Sequence, residues 1–330
     1  MGEARVRCGR IGVTAPSVVA EGLGKRYGEL WALRNVDLVV PQGTVLGLLG
    51  HNGAGKTTAI RILTTLTSPT EGRAAVAGYD VMAEPARVRE RIGLTAQAAT
   101  VDGLLTARAN LHMMARLYHI PRAAAKARTE ELLERLGIAD AADRLVKTFS
   151  GGMRRRLDLA ASIVASPPVL FLDEPTTGLD PNSRNELWEL LRGLVAEGTT
   201  LVLTTQYLEE ADGVADDIVL LDHGRVSAHG TPAELKALIG GARIVVSLAD
   251  AVDLARAEQS LAPFADGAAS MDVEAVQVSA PIRDGVRLIE IVRALDSAGI
   301  DAVDVHRREP TLDDVFLTLT GGTRAPEDAA

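Results

Sequence analysis

Gly50-His51-Asn52-Gly53-Ala54-Gly55-Lys56-Thr57 has the spacing G-x-x-x-x-G-K-[ST] of a phosphate-binding loop. Glycines let successive backbone N–H groups curl round a phosphate, Lys56 reaches the β- and γ-phosphates, and the Thr57 hydroxyl is placed to ligate Mg²⁺. The setting supports the motif. An apolar strand, Thr44–Leu49, precedes it and a helical run, Thr58–Leu63, follows, so the helix N-terminus adds its positive dipole to the site. Gly50, Asn52, Gly53, Gly55, Lys56, Thr57 and Thr58 are therefore the expected phosphate-contacting residues.

Outward from the loop, the hydrophobic strand Val169-Leu170-Phe171-Leu172 ends in Asp173-Glu174. Two acids at the carboxyl end of a strand beside a phosphate loop have a specific use: Asp173 can hold Mg²⁺ while Glu174 orients and polarises an attacking water. Successive strand side chains point to opposite faces, so the two do not compete for one task. Upstream, Ser150-Gly151-Gly152 opens a helix, and a serine N-cap with two bare glycines makes either an anion-binding helix start or a plain cap. Tyr27, one of four tyrosines, can stack on a nucleobase or pack within its strand.

The 330 residues, 47% of them hydrophobic, suffice for about two domains. A net charge of −9 and a pI near 5.3 argue against a general nucleic-acid binder, which needs clustered lysine and arginine. Arg154-Arg155-Arg156 is the one short basic run, read as a solvated helix face. Cys8 stands alone, so no intrachain disulfide forms, and a reducing compartment is the simplest reading. Met1–Ala15 carries no secretory pattern, and the longest apolar runs are too short to span a bilayer, so any membrane role requires a partner.

In chain order, residues 1–17 are expected to be a disordered tail, followed by alternating strands from Val18 to Val40 and a turn at Pro41-Gln42-Gly43. A strand resumes at Ala74–Gly78. From about 98 to 165 the apolar spacing shifts to 3.6, with helices at Leu104–Leu117 and Ala123–Leu136 stopped by Gly137. Strands at Val169–Leu172 and Thr200–Thr204, separated by a helix from about Asn182 to Ala196, imply a parallel sheet with ligands at its carboxyl ends. The prediction is an α/β domain over 18–240 with a helical insert, then a small α+β accessory domain over 241–320 and a tail from 321. Within the latter, Arg243–Leu248 and Ala302–His306 read as strands, Val273–Ser279 as a strand or hairpin, and Val252–Leu261 and Val286–Leu295 as helices. Thr311 with Asp314 caps a last helix.

Together these motifs resemble the ATP-binding subunits of ABC transporters over about Val18–Gly240. The matches are the phosphate loop, Ser150-Gly151-Gly152 flanked by Phe149 and Met153 where leucine and glutamine are usual, Leu172-Asp173-Glu174-Pro175, Gln97, Gly178-Leu179-Asp180 and the Tyr27 position. Thr204–Asp212 and Glu309–Leu317 are similar to the daunorubicin/doxorubicin resistance group, whose subunits serve drug export with a separate membrane protein. The resemblance implies ATP and Mg²⁺ as cofactors, a homodimer sandwiching two nucleotides, and a permease partner on the inner face of the cell membrane, with no nucleic-acid partner. It further implies that Ser150 and Gly152 of one copy face Lys56 and Thr57 of the other. Gln97 would touch Mg²⁺ or the attacking water, and Asp180 would work at the dimer seam.

The chain departs from the family where a histidine is usual and Gln206 stands instead. An amide can donate the same hydrogen bond to a γ-phosphate but cannot carry a proton, so Glu174, Gln206 and Lys56 form the expected catalytic set. Two alternatives follow: a soluble ABC-type ATPase acting on nucleic acid or ribosomes, and a nucleotide-gated switch with very slow turnover. The histidines show no metal-ligand spacing and read as packing or surface residues.

Overall fold

A computed structural model describes residues 15–95, 100–205, 207–239, 241–283 and 285–319. The chain divides into two compact units, Met1–Thr231 and Pro232–Ala330. The second therefore begins ahead of the Gly240-Gly241 pair that marks the composition change, because the helix Pro232–Ala237 packs on the last helix of the second unit.

The first unit runs β1 (Val18–Tyr27), β2 (Leu30–Val40), β3 (Val45–Leu49), α1 (Lys56–Leu63), β4 (Glu71–Val76), β5 (Tyr79–Asp80), α2 (Pro85–Arg91) and β6 (Ile92–Thr95). The helical insert follows as α3 (Ala107–Leu117), α4 (Arg122–Arg135) and α5 (Gly151–Ile163). Then come β7 (Val169–Asp173), α6 (Pro181–Ala196), β8 (Thr200–Thr205), α7 (Leu208–Val214), β9 (Asp217–Asp222) and β10 (Arg225–Gly230). The central sheet has the order β10-β9-β3-β8-β7-β6, parallel except for β10 at its edge. Strands β3, β7 and β8 are buried along their whole length, which is why they read as unbroken apolar runs rather than alternating ones. Within β7, Leu170 and Leu172 join the core shared with α3–α6, while Val169 and Phe171 face the core shared with α1 and the second sheet, β2-β1-β4-β5. That second sheet is antiparallel.

The second unit comprises α8 (Pro232–Ala237), β11 (Arg243–Leu248), α9 (Leu254–Leu261), β12 (Ser270–Asp272), β13 (Gln277–Pro281), α10 (Leu288–Ser297), β14 (Ala302–Arg308) and α11 (Leu312–Leu319). Its antiparallel sheet, β12-β13-β11-β14, buries Ile244, Val246, Val278 and Ala280 against Leu254, Leu261, Ile291 and Leu295 of α9 and α10. Of the strand or hairpin expected at Val273–Ser279, the structure has the hairpin, with Val273 opening the turn between β12 and β13. Before α11 the Thr311 hydroxyl accepts from the Asp314 N–H at 3.2 Å, and the Asp314 carboxylate accepts from the Thr311 N–H at 2.9 Å, the reciprocal cap read from sequence.

Candidate active site

The loop joining β3 to α1 is shaped by glycine. Gly50, Gly53 and Gly55 have φ values of 152°, 85° and 109°, in the region that disfavours other residues. At Gly50 a Cβ would lie 2.3 Å from the Leu221 carbonyl oxygen, and at Gly55 2.5 Å from that of Ala32, so contact as well as backbone excludes a side chain. The Gly224 N–H donates to the Ala54 carbonyl at 3.0 Å, tying the loop to the β9–β10 turn. Lys56 is buried, and its ammonium donates to the Gly50 and His51 carbonyls at 2.6 and 3.1 Å. Burial lowers its pKa below the usual 10.5, with Glu174 and Asp173 opposing. A buried cation held on loop carbonyls is a donor that phosphate oxygens can take over.

The acids are placed by sheet order. Parallel pairing of β7 with β8 sets Asp173 beside Thr204, and the Thr204 hydroxyl donates to Asp173 Oδ1 at 2.6 Å. Thr57 Oγ1 stands 3.4 Å from the same oxygen. Glu174 has φ 50°, a left-handed conformation that strains a non-glycine residue by about 1–3 kcal/mol. Its N–H is held at 3.1 Å by the Thr204 carbonyl and at 3.0 Å by the Thr204 hydroxyl. Thr204, absent from the expected set, thus positions both acids at once. Hydroxyl and carboxylate oxygens at this corner are the hard donors that suit Mg²⁺.

Arg155 corrects the reading of the basic run. Rather than lying on a solvated face, it is half-buried and donates to the carbonyls of Asp173 at 3.2 Å, Glu174 at 2.9 Å and Pro175 at 2.7 Å. Burial lowers its pKa, and Asp158, Asp173 and Glu174 oppose that shift. Arg156 pairs instead with Glu186 at the surface. Arg155→Met leaves three carbonyls without this donor, at about 1–3 kcal/mol for each that stays dry. The expected result is a clear fall in the urea midpoint, against little change for Arg156→Met, where an exposed pair contributes ~0–1 kcal/mol. Equal midpoints for the two variants would remove Arg155 from this role.

Ser150 caps α5, its hydroxyl accepting from the Met153 N–H at 3.2 Å. Gly151 faces open space, and a Cβ on Gly152 would meet the Ser183 hydroxyl at 3.1 Å. These residues sit on the helical insert, whereas the loop and the acids sit on the central sheet. Asp180 caps α6, accepting from the Ser183 hydroxyl at 2.6 Å and from the Ser183 and Asn182 N–H groups at 3.0 and 3.1 Å. These bonds, the Ser183 hydroxyl first, hold its pKa below the usual carboxylate value. Tyr27 ends β1 exposed rather than packed, with the Lys25 ammonium 5.0 Å from its ring centre.

Gln97 and Gln206 lie outside the described residues, though their flanks are anchored. Buried Asp158 accepts from the Thr100 N–H and hydroxyl, both at 2.9 Å, just beyond Gln97. His51 proves to be more than a loop filler. Its Nδ1 lies 2.6 Å from the Asn52 carbonyl and its Nε2 3.1 Å from Asp222 Oδ1. A ring carrying both protons satisfies both oxygens, a neutral ring only one. Among the described residues His51, Asp222 and His223 gather their ligand atoms within 4.8 Å, a proximity that sequence spacing hides.

A family model described as ABC transporter matches residues 33–177. A daunorubicin resistance ATP-binding protein of Streptomyces coeruleorubidus is 55% identical over 306 residues, covering 92% of this chain and 95% of the relative. A daunorubicin/doxorubicin resistance ATP-binding protein of Streptomyces peucetius is 47% identical, covering 95% and 96%. Among solved structures, an ATP-binding subunit of an ABC transporter aligns with a TM-score of 0.62 at 28% identity, over 67% of this chain and 92% of that one. A dimeric ATP-binding cassette bound to ADP and Pi aligns at 0.59 and 26%, over 65% and 98%. Among the described residues no helix is long and apolar enough to cross a membrane.

Proposed function

Because the chain belongs to the ABC transporter family of ATP-hydrolysing subunits, we propose that it powers export of a hydrophobic drug or secondary metabolite through a separate integral membrane permease. The observation that carries this reading is similarity over more than nine-tenths of the chain, second unit included, to drug-resistance subunits. The chain would then work in the cytoplasm, peripheral to the inner face of the membrane.

In this reading the loop amides of Gly53 and Gly55, with Asn52 and Thr58, surround the β- and γ-phosphates, and Lys56 leaves the Gly50 and His51 carbonyls for phosphate oxygens. Tyr27 stacks on the base. Thr57, Asp173 and Gln97 are the residues that would hold Mg²⁺, which when bound neutralises phosphate charge and polarises the phosphoryl oxygens. Glu174 orients a water and takes its proton as the water oxygen bonds to the γ-phosphorus and the bond to the β–γ bridging oxygen breaks. Gln206 donates to the γ-phosphate. A second copy completes the site, its Ser150, Gly151 and Gly152 facing the nucleotide from the other side and its Asp180 lying at the seam. Gly151, with nothing near its Cβ position, leaves room for such an approach.

The test is ATP turnover and drug movement in vesicles holding the chain with its copurifying membrane protein. A planar aromatic drug such as daunorubicin should accelerate turnover and be carried, and neither should occur without the partner. No stimulation and no movement would reject drug export. The second unit, which holds none of the expected site residues, is assigned to dimer stabilisation or regulation. A chain ending at Thr231 should keep nucleotide binding but assemble poorly, and loss of binding would count against this division.

A further inference from the structure

Glu210 lies in the first turn of α7 with its carboxylate buried, inside the Thr204–Asp212 stretch, which by itself gives this residue no role. Its Oε2 accepts from the Thr176 hydroxyl at 2.6 Å and from the Thr205 hydroxyl at 3.2 Å. Both threonines are themselves buried. Thr176 stands two residues after Glu174, and Thr205 directly before Gln206. The Thr205 hydroxyl also accepts from the Tyr207 N–H at 2.9 Å, so the same contact fixes the backbone on the far side of Gln206. On the other oxygen, Arg184 Nε of α6 stands 3.2 Å from Oε1, outside hydrogen-bonding geometry, and its guanidinium lies 5.5 Å from the Tyr207 ring centre.

We propose that Glu210 is a positioning residue that locks the turn carrying Glu174 to the end of β8 and the start of α7, so that Glu174 keeps its place against the γ-phosphate. The inference rests on the role given to Glu174 above. A carboxylate suits the place because two hydroxyl donors and a guanidinium converge on it, and a buried carboxylate with fewer partners would be strongly unfavourable. The left-handed backbone at Glu174 makes such a lock useful, since a strained turn keeps its geometry only when its surroundings over-determine it. A shift of ~1 Å in a reacting group can lower a rate by about a hundredfold, so the lock bears on turnover rather than on nucleotide affinity.

The test compares steady-state phosphate release and Mg·ATP affinity in the full chain. Glu210→Ala should lower kcat by about tenfold or more, with affinity within about threefold of wild type. Glu210→Gln, whose carbonyl oxygen still accepts from both hydroxyls, should recover much of that loss. Thr176→Val removes one arm and Thr176→Ser restores it, so Val should be slow and Ser near wild type even where Glu210→Ala fails to fold. Combining Glu210→Ala with Thr176→Val should be no worse than Glu210→Ala alone, because that variant already loses the Thr176 contact. Wild-type kcat in Glu210→Ala, equal rates for Thr176→Val and Thr176→Ser, or affinity falling in step with kcat would each overturn the proposal. Should Glu174→Gln itself turn over normally, the assignment of Glu174 fails first; a dead Glu174→Gln beside a fully active Glu210→Ala sinks this proposal alone.

Discussion

With Glu174 as the proposed general base, Glu174→Gln should lower Mg·ATP turnover by about 10³-fold and, with the proposed dimer, should leave a nucleotide-loaded species that elutes ahead of the free chain. Glutamine matches glutamate in shape, and the turn is held by contacts the substitution does not touch. The Thr204 carbonyl and hydroxyl grip the backbone N–H of residue 174, and Arg155 grips its carbonyl. What is lost is the carboxylate that, in the proposed mechanism, takes the water's proton, because an amide cannot accept one. Gln206 offers no substitute for the same reason. Size-exclusion elution after incubation with Mg·ATP reads the trapped dimer. A variant that elutes and turns over like wild type would show that another group removes the proton.

Lys56→Met produces the second large effect, this time on binding. The lysine holds the loop's cation against two backbone carbonyls, so Mg·ATP affinity should fall by about tenfold to a hundredfold, the worth of a charge-assisted hydrogen bond at ~1.5–3 kcal/mol. The nucleotide-free fold responds with the opposite sign. Burial holds the folded-state pKa of Lys56 below 10.5, so between that lowered value and 10.5 the unfolded chain binds more protons than the folded one. The Lys56 contribution to the stability of the free wild-type chain therefore rises as pH climbs through this window, and it is absent in Lys56→Met. Nucleotide titration and alkaline denaturation series on the two chains read both arms. Undiminished affinity, or identical alkaline slopes, would contradict the burial argument.

Local pattern reveals much of this site, and long-range geometry conceals the rest. The strand, glycine loop and helix at Gly50–Thr57 can be read from sequence because each part is contiguous and each glycine answers a backbone need. The same holds for the paired acids at the end of β7, the Ser150 cap and the reciprocal cap at Thr311 and Asp314. The residues that escape notice act across distance. Thr204 matters because β8 lies between β3 and β7, an order that no single stretch announces. Arg155 looks like part of a solvated run, since a run of three arginines gives no sign of which one turns inward. Glu210 stands in the Thr204–Asp212 stretch with nothing to distinguish it from Glu209 until α7 packs it on Thr176 and Thr205. The boundary of the second unit is set by packing of α8 on α11, whereas composition changes only at the glycine pair that follows.

The most direct test of Glu174 as the residue that activates water is phosphate release by the full chain over many turnovers, wild type beside Glu174→Gln at equal nucleotide saturation. The proposed mechanism predicts that wild type releases phosphate linearly far beyond one per chain while the variant's slope is about 10³-fold lower. Matching slopes in the two chains would contradict it.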